Sequence, residues 1–285
     1  MLSSDSLKEI ANIFCEGSKG FYTYKQGYKL VEFFNVNFIY HTISSETLSL
    51  KDISFKMHEN EFISFVGPSG CGKTTLLNIV AGLISATEGN IQFNGVPRNE
   101  SNINIGYMLQ KDHLLEWRTI YKNLTLGLEI QNKLDKQHLE IIDDLLKTYG
   151  LWDFRNSYPR QLSGGMRQRA ALIRTLALSP EILLLDEPFS ALDYQTRLNV
   201  SNDIGSIIKE KGISTLLVTH DLGEAISMSD KVIVLTKRPG TIKTIIPLHF
   251  ATPNLTPKTR RNAPEFTKYY NEIWEAVHDE NEDFE

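Results

Sequence analysis

Gly67-Pro-Ser-Gly-Cys-Gly-Lys-Thr74 follows directly on Glu61-Phe-Ile-Ser-Phe-Val66, and the two stretches together decide the fold. The apolar run has strand length and reads as a buried strand. The loop after it has the spacing G-x-x-x-x-G-K-T, in which glycines let backbone N–H groups turn inward around phosphate oxygens. A helix must begin at its end, because the positive pole of a helix N-terminus completes an anion site. That helix is expected from Lys73 to about Leu83, with Leu76, Leu77, Ile79, Val80 and Leu83 on its apolar face. In such a loop the backbone of Gly67, Pro68, Ser69, Gly70, Cys71 and Gly72 surrounds the phosphates. Lys73 neutralises the β- and γ-phosphates, the Thr74 hydroxyl is placed to ligate Mg²⁺, and Thr75 follows on the same helix. ATP and GTP are both open at this point. Cys71 sits where a helix N-terminus lowers a thiol pKa, but the loop works through its backbone and the thiol is read as incidental.

Ile182-Leu-Leu-Leu-Asp186-Glu187 supplies the complementary half. A buried strand that ends in a carboxylate puts Asp186 beside the metal, directly or through water. Glu187 is then positioned to orient and polarise the attacking water.

Outward from these motifs, strand-like alternation begins near Leu30 and resumes at Leu48-Ser-Leu-Lys-Asp-Ile-Ser-Phe55. Residues from about 119 to 178 read as mostly helical, with Ile142, Leu145, Leu146 and Tyr149 forming an i, i+3, i+4, i+7 stripe. Alternation of strand and helix returns with Ile182–Leu185, Ser214–Val218 and Lys231–Leu235. The implied class is α/β, a parallel-type core with a helical insertion at about 112–178. Residues 1–29 read as an extension in which Leu7, Ile10, Ile13 and Phe14 suit a short helix, and residues 281–285 as an acidic tail.

At 285 residues, 41% hydrophobic and 23% charged, the chain is an ordinary globular protein. Its net charge is −5 and it has no dense Lys/Arg block, so nucleic acid is not an expected partner. The only cysteines are Cys15 and Cys71, which argues against a disulfide framework and for a reducing cytosol. The longest apolar runs fall far short of a membrane span, so any membrane association is expected through a partner.

Leu162-Ser-Gly-Gly-Met-Arg-Gln-Arg169 has its own physical reading. Ser163-Gly164-Gly165 ahead of a helix makes a second small anion nest, although the first loop already encloses one triphosphate. With this segment the chain resembles the nucleotide-binding subunits of ATP-binding-cassette (ABC) transporters, over about residues 30–280. The resemblance implies a P-loop NTPase of ABC type, with a mixed β core, an antiparallel β subdomain and the helical insertion. It assigns Gln110, in Tyr107-Met-Leu-Gln110, to the glutamine that senses Mg²⁺ and the γ-phosphate. It assigns His220, in Val218-Thr-His-Asp221, to the switch histidine, and Tyr40 to the aromatic that stacks on adenine, which favours ATP. Phe38 and His41 are neighbouring alternatives for that aromatic. Ser163, Gly164, Gly165 and Gln168, with Asp193 of Ser190-Ala-Leu-Asp193, are assigned to the ATP held by an opposite subunit. A head-to-tail homodimer with two active sites follows, since both half-sites are intact in one chain.

Leu114-Leu-Glu-Trp-Arg-Thr-Ile-Tyr-Lys-Asn-Leu-Thr-Leu-Gly-Leu128 is similar to a segment of importers for nitrate, sulfonate, taurine and thiamine-precursor solutes. Lys237-Arg-Pro-Gly240 and the tail Pro264-Glu-Phe…Ile273-Trp274 suit the same group. Asn60 stands where that group has glycine, a place asparagine tolerates through positive φ, and Glu116 replaces a common proline. This resemblance implies a membrane permease docked near residues 110–128, an extracytoplasmic solute-binding protein acting indirectly, and a place on the cytoplasmic face of the membrane. Cassette ATPases that act on ribosomes or DNA instead usually carry two cassettes or a long coiled coil. One phosphate loop and no sustained heptads set this chain apart from them.

Overall fold

The computed structural model describes residues 29–43 and 45–278. The short helix expected near Leu7–Phe14 and the acidic tail at 281–285 lie outside the described residues.

The strands are β1 (Lys29–His41), β2 (Glu46–Ile53), β3 (Lys56–His58), β4 (Phe62–Val66), β5 (Glu88–Phe93), β6 (Val96–Pro97), β7 (Ile105–Met108), β8 (Ile182–Asp186), β9 (Ser214–Val218), β10 (Lys231–Leu235) and β11 (Ile242–Pro247). The helices are α1 (Lys73–Ala81), α2 (Ile120–Ile130), α3 (Lys136–Thr148), α4 (Gly164–Leu176), α5 (Tyr194–Lys211), α6 (Leu222–Met228), α7 (Pro257–Arg260) and α8 (Pro264–His278). One sheet has the order β11-β10-β4-β9-β8-β7 and is parallel except for β11 at its edge. The other is antiparallel, with order β2-β1-β5-β6 and β3 added on β1.

Every residue of β4, β8 and β9 is buried, as expected of parallel strands covered on both faces. Their period of two divides the core. Leu183, Leu185 and Leu217 pack with α2 to α5 on one face. Ile63, Phe65, Ile182, Leu184, Leu216 and Val218 face α1 and the antiparallel sheet on the other. The sheet is thus wedged between a helical layer and a β layer, and the loops after β4, β8 and β9 emerge together at its carboxyl end.

Between β7 and β8 the described chain contains helices and short 3₁₀ turns but no strand. The stripe Ile142, Leu145, Leu146 and Tyr149 is buried against α2 and α4 residues such as Leu124 and Leu172. Asn60 adopts φ 62° and donates its N–H to Ser214 Oγ at 2.8 Å, so the left-handed turn expected there is present. One expectation fails. Helix α1 stops at Ala81, where Gly82 (φ 75°) returns its N–H to Asn78 and Ile79 carbonyls. The chain turns away, and Leu83 is 65% exposed instead of joining the apolar face.

Candidate functional site

The loop from Gly67 to Thr74 joins the buried end of β4 to α1. Gly72 sits at φ 105° with Leu50 Cδ2 only 2.6 Å from where a Cβ would lie, so neither the backbone angle nor the space admits a side chain. This close approach brings strand β2 against the loop. Tyr40, Ser49, Gly67, Ser69, Gly70, Gly72, Lys73, Thr74, Thr75, Glu187, His220 and Arg238 line one cleft of about 570 Å³.

Lys73 is buried, and its Nζ donates to the Gly67 and Pro68 carbonyls at 2.8 and 2.9 Å. Cys71 is fully buried beneath the loop, its Sγ 3.7 Å from Lys73 Nζ, which agrees with a packing role for the thiol. Thr74 Oγ1 donates to Asp186 Oδ1 at 3.2 Å, so the hydroxyl and carboxylate expected to share a metal converge across the gap between α1 and β8. Burial pushes the Asp186 carboxyl upward, the Thr74 hydrogen bond opposes this, and the Glu187 charge adds to it. Burial and then the Asp186 charge also push the Tyr107 phenol upward. A buried carboxylate destabilised by its own surroundings, beside a hydroxyl, fits a hard divalent cation that takes its remaining ligands from phosphate and water. No cluster of three or more His, Cys, Asp or Glu side chains suited to a metal occurs among the described residues.

Glu187 occupies the left-handed region at φ 44°, which a side-chain-bearing residue adopts at a cost of about 1 kcal/mol or more. Its N–H bonds to the Val218 carbonyl at 2.8 Å, and Ser190 donates N–H and Oγ back to its carbonyl at 3.3 and 3.1 Å. Held this way, its carboxylate accepts from Gln110 Nε2 at 3.2 Å and lies 3.3 Å from His220 Nδ1. Gln110, Glu187 and His220 come from the ends of β7, β8 and β9, neighbours in the sheet, and so meet at one edge of the cleft.

Tyr40 stands at the opposite rim, 42% exposed, with its hydroxyl 3.0 Å from Thr75 Oγ1 and its ring edge-on to Phe38 at 4.8 Å. Phe38 is buried and His41 pairs with Glu46 at 3.0 Å, so Tyr40 is the aromatic of the three that lines the cleft.

The second glycine motif lies outside the cleft. Ser163 caps α4 by accepting from Met166 N at 3.4 Å, and Ser163 and Gly164 are exposed. Gly165 is buried, with Thr196 Cγ2 2.8 Å from a notional Cβ. Gln168 is also buried, and its Oε1 has no partner. Asp193 is exposed and caps α5 through Thr196 N at 3.0 Å. Arg167 of the motif binds Asp112 through Nε and Nη2 at 2.8 and 3.2 Å and reaches Glu116 at 2.8 Å. The glutamate in place of proline thus ties α4 to the segment that follows Gln110.

Residues without a role in the sequence reading also appear. Ser49 lines the cleft, buried beside Leu50 in β2, and no alternation of the strand marks it in the sequence. Glu224 is buried behind His220, accepts from Thr219 Oγ1 at 2.7 Å and lies 3.9 Å from Arg197 Nε. Burial pushes its carboxyl up to about 7. Arg197 also binds Asp221 Oδ2 at 3.3 Å and the Leu192 carbonyl at 3.1 Å, joining the Asp193 loop to the His220 loop.

Similarity to known proteins agrees with this geometry. A family model described as ABC transporter matches residues 50–190. An uncharacterized ABC transporter ATP-binding protein of Bacillus subtilis, YtlC, is 45% identical over 87% of this chain and 96% of its own length. The nitrate import ATP-binding protein NrtD of Synechocystis is 36% identical over 85% of this chain and 93% of its own. The ATP-binding cassette MJ0796, solved as a dimer in a post-hydrolysis state bound to ADP and Pi, superposes with a TM-score of 0.64 at 30% identity, covering 75% of this chain and 98% of that one.

Proposed function

The chain belongs to the ATP-binding subunits of ABC transporters and is an ABC-type ATPase, and from that premise we propose that it energises import of a small solute through a membrane permease. ATP occupies the cleft with its adenine on Tyr40 and its phosphates in the loop at Gly67–Thr74. Thr74, Asp186 and Gln110 would hold Mg²⁺, which supplies charge neutralisation at the phosphates. Glu187 accepts hydrogen bonds from a water and polarises it toward the terminal phosphorus, while Gln110 and His220 fix the direction of its carboxylate. His220 donates to the γ-phosphate.

The observation that carries the reading is the placement of the two halves. Glu187, Gln110 and His220 converge on the loop cleft, whereas Ser163 and its helix N-terminus lie outside it and are exposed. In a head-to-tail homodimer the exposed Ser163, Gly164 and Asp193, backed by the buried Gly165 and Gln168, cover the γ-phosphate held by the opposite chain. Two such sites form. Binding energy available only in the closed dimer drives the movement, and hydrolysis reverses it.

The docking surface for the permease is the segment between Gln110 and Leu128. Asn123 is fully buried there, accepts from Leu115 N at 2.7 Å and donates to the Leu115, Arg118 and Thr119 carbonyls at 3.1 Å each. These bonds fix a loop that presents Trp117, 75% exposed, as an anchor for a partner. No helix among the described residues is long and apolar enough to cross a membrane, so the permease supplies the attachment to the cytoplasmic face. Solutes of the nitrate, sulfonate, taurine or thiamine-precursor kind reach that permease from an extracytoplasmic binding protein. Glu187→Gln tests the core of this reading. Turnover falls by a factor on the order of 10²–10⁴ while ATP still binds, measured by phosphate release and by fluorescent-nucleotide titration. Wild-type turnover in the variant overturns the role given to Glu187.

A further inference from the structure

Arg238 lines the cleft although it lies far along the chain from the phosphate loop, and 18 residues beyond His220. It sits at the tip of the turn between β10 and β11. That turn is closed by Thr236 N to the Thr241 carbonyl at 3.0 Å and by Thr241 N to Thr236 Oγ1 at 2.9 Å. Two residues on, Gly240 exchanges hydrogen bonds with β2, donating to the Ser49 carbonyl and accepting from Lys51 N, both at 2.9 Å. A Cβ at Gly240 would collide with the Cys71 carbonyl, so the turn lies directly on the phosphate loop. The strap is fastened at both ends and holds Arg238 in place over Gly70.

The guanidinium is held lightly. Arg238 Nε donates to the Gly70 carbonyl at 3.1 Å, and among the described residues the side chain forms no ion pair and no hydrogen bond through Nη. Lys73, the other cation lining the cleft, is engaged with two loop carbonyls. A triphosphate entering the cleft brings several negative charges, and planar donor pairs suit phosphate oxygens. We propose that Arg238 binds the polyphosphate of the nucleotide as a second cation, presented by the strap from the rim of the loop. This rests on the reading that the cleft holds ATP. A guanidinium anchored by one bond to the loop backbone adds phosphate affinity with little loss of side-chain freedom on binding.

The test is titration of full-length wild type, Arg238→Ala, Arg238→Lys and, in parallel, Lys73→Ala with fluorescent ATP at several salt concentrations, and its displacement by adenosine. Arg238→Ala is expected to weaken ATP by about ten- to a hundredfold and to flatten the salt dependence. Adenosine displacement stays unchanged, and Arg238→Lys recovers part of the loss. ATP affinity and salt dependence equal to wild type in Arg238→Ala overturn the proposal. So does an equal loss for ATP and adenosine, which makes the strap a support for the pocket's shape. Wild type that binds ATP no better than adenosine, with Lys73→Ala unchanged from it, defeats the underlying assignment of the cleft instead.

Discussion

Two helices of this chain begin in glycine-rich anion nests, and their surroundings differ. Helix α1 opens into a cleft walled by Tyr40, Glu187, His220 and Arg238, so a carboxylate, a cation and an aromatic ring of one chain face the same loop. Helix α4 opens at Ser163 and Gly164, both exposed and outside that cleft. Among the described residues Ser163 bonds only within its own helix cap, while Gly165 packs against α5. On the function proposed above, this donor array, which faces no partner among the described residues, is half of a site that a second copy completes. If the second nest is completed only by assembly, as proposed, the difference predicts that ATP binding and turnover are separable.

The largest effect that breaks or upholds this contrast is expected at Ser163. Ser163→Glu places a negative charge in the second nest and removes a small donor. ATP affinity of the isolated chain stays within about twofold of wild type, while turnover falls by about 10²-fold or more, the scale for a lost transition-state donor. Loss of ATP affinity in the same measurement ruins the contrast, because the two nests then act within one chain.

A smaller effect separates the groups behind the two nests. Glu224, buried behind His220 and facing Thr219, Asp221, Arg197 and Arg261, is pushed up to about 7 by burial. A carboxyl with a raised folded-state pKa binds more protons folded than unfolded, so stability falls as pH rises between its unfolded value and about 7. Glu224→Gln removes that penalty while its amide oxygen still accepts from Thr219. Raising the pH from 5 to 8 therefore lowers the stability of wild type by about 2 kcal/mol more than that of the variant, and parallel pH profiles from thermal melts of the two refute it. On the α4 side, burial opposes ionisation of Asp112, but the hydrogen bonds from Arg167 and from Leu114 N outweigh it and hold the carboxyl below its usual range. That pair stays charged across the same window. Arg167→Ala is expected to cost about 1 kcal/mol, without pH dependence between 5 and 8 and less in high salt; a chemical denaturation series reads both.

Much of the cleft was legible because its parts are contiguous in sequence. The strand, loop and helix at Glu61–Leu83 carry their geometry in glycine spacing and apolar period, and Ile182–Glu187 announces a buried strand with a carboxylate at its end. Leu83 escaped because an apolar residue past Gly82 continues the helical period on paper, while the left-handed cap turns the chain out of register. The place of Arg238 at the cleft, although Lys237-Arg-Pro-Gly240 stood out in the sequence, and the Arg197–Glu224 lattice were not legible for a different reason. They reach the site through sheet order, β10 beside β4 and β9 beside β8, and nothing in local spacing records which strands become neighbours. Gln168 shows the same limit from the other side, since its neighbours in the motif do not reveal that its side chain is buried.

The mass of the particle formed with ATP tests the two-nest account most directly. Sedimentation of Glu187→Gln, which binds but turns over slowly, is predicted to give a monomer without nucleotide and a dimer with saturating ATP. Adding Ser163→Glu to the same chain is predicted to leave it monomeric with ATP bound. A Glu187→Gln chain that stays monomeric with ATP, or a double variant that dimerises equally well, contradicts the claim that the exposed nest is completed by a second copy.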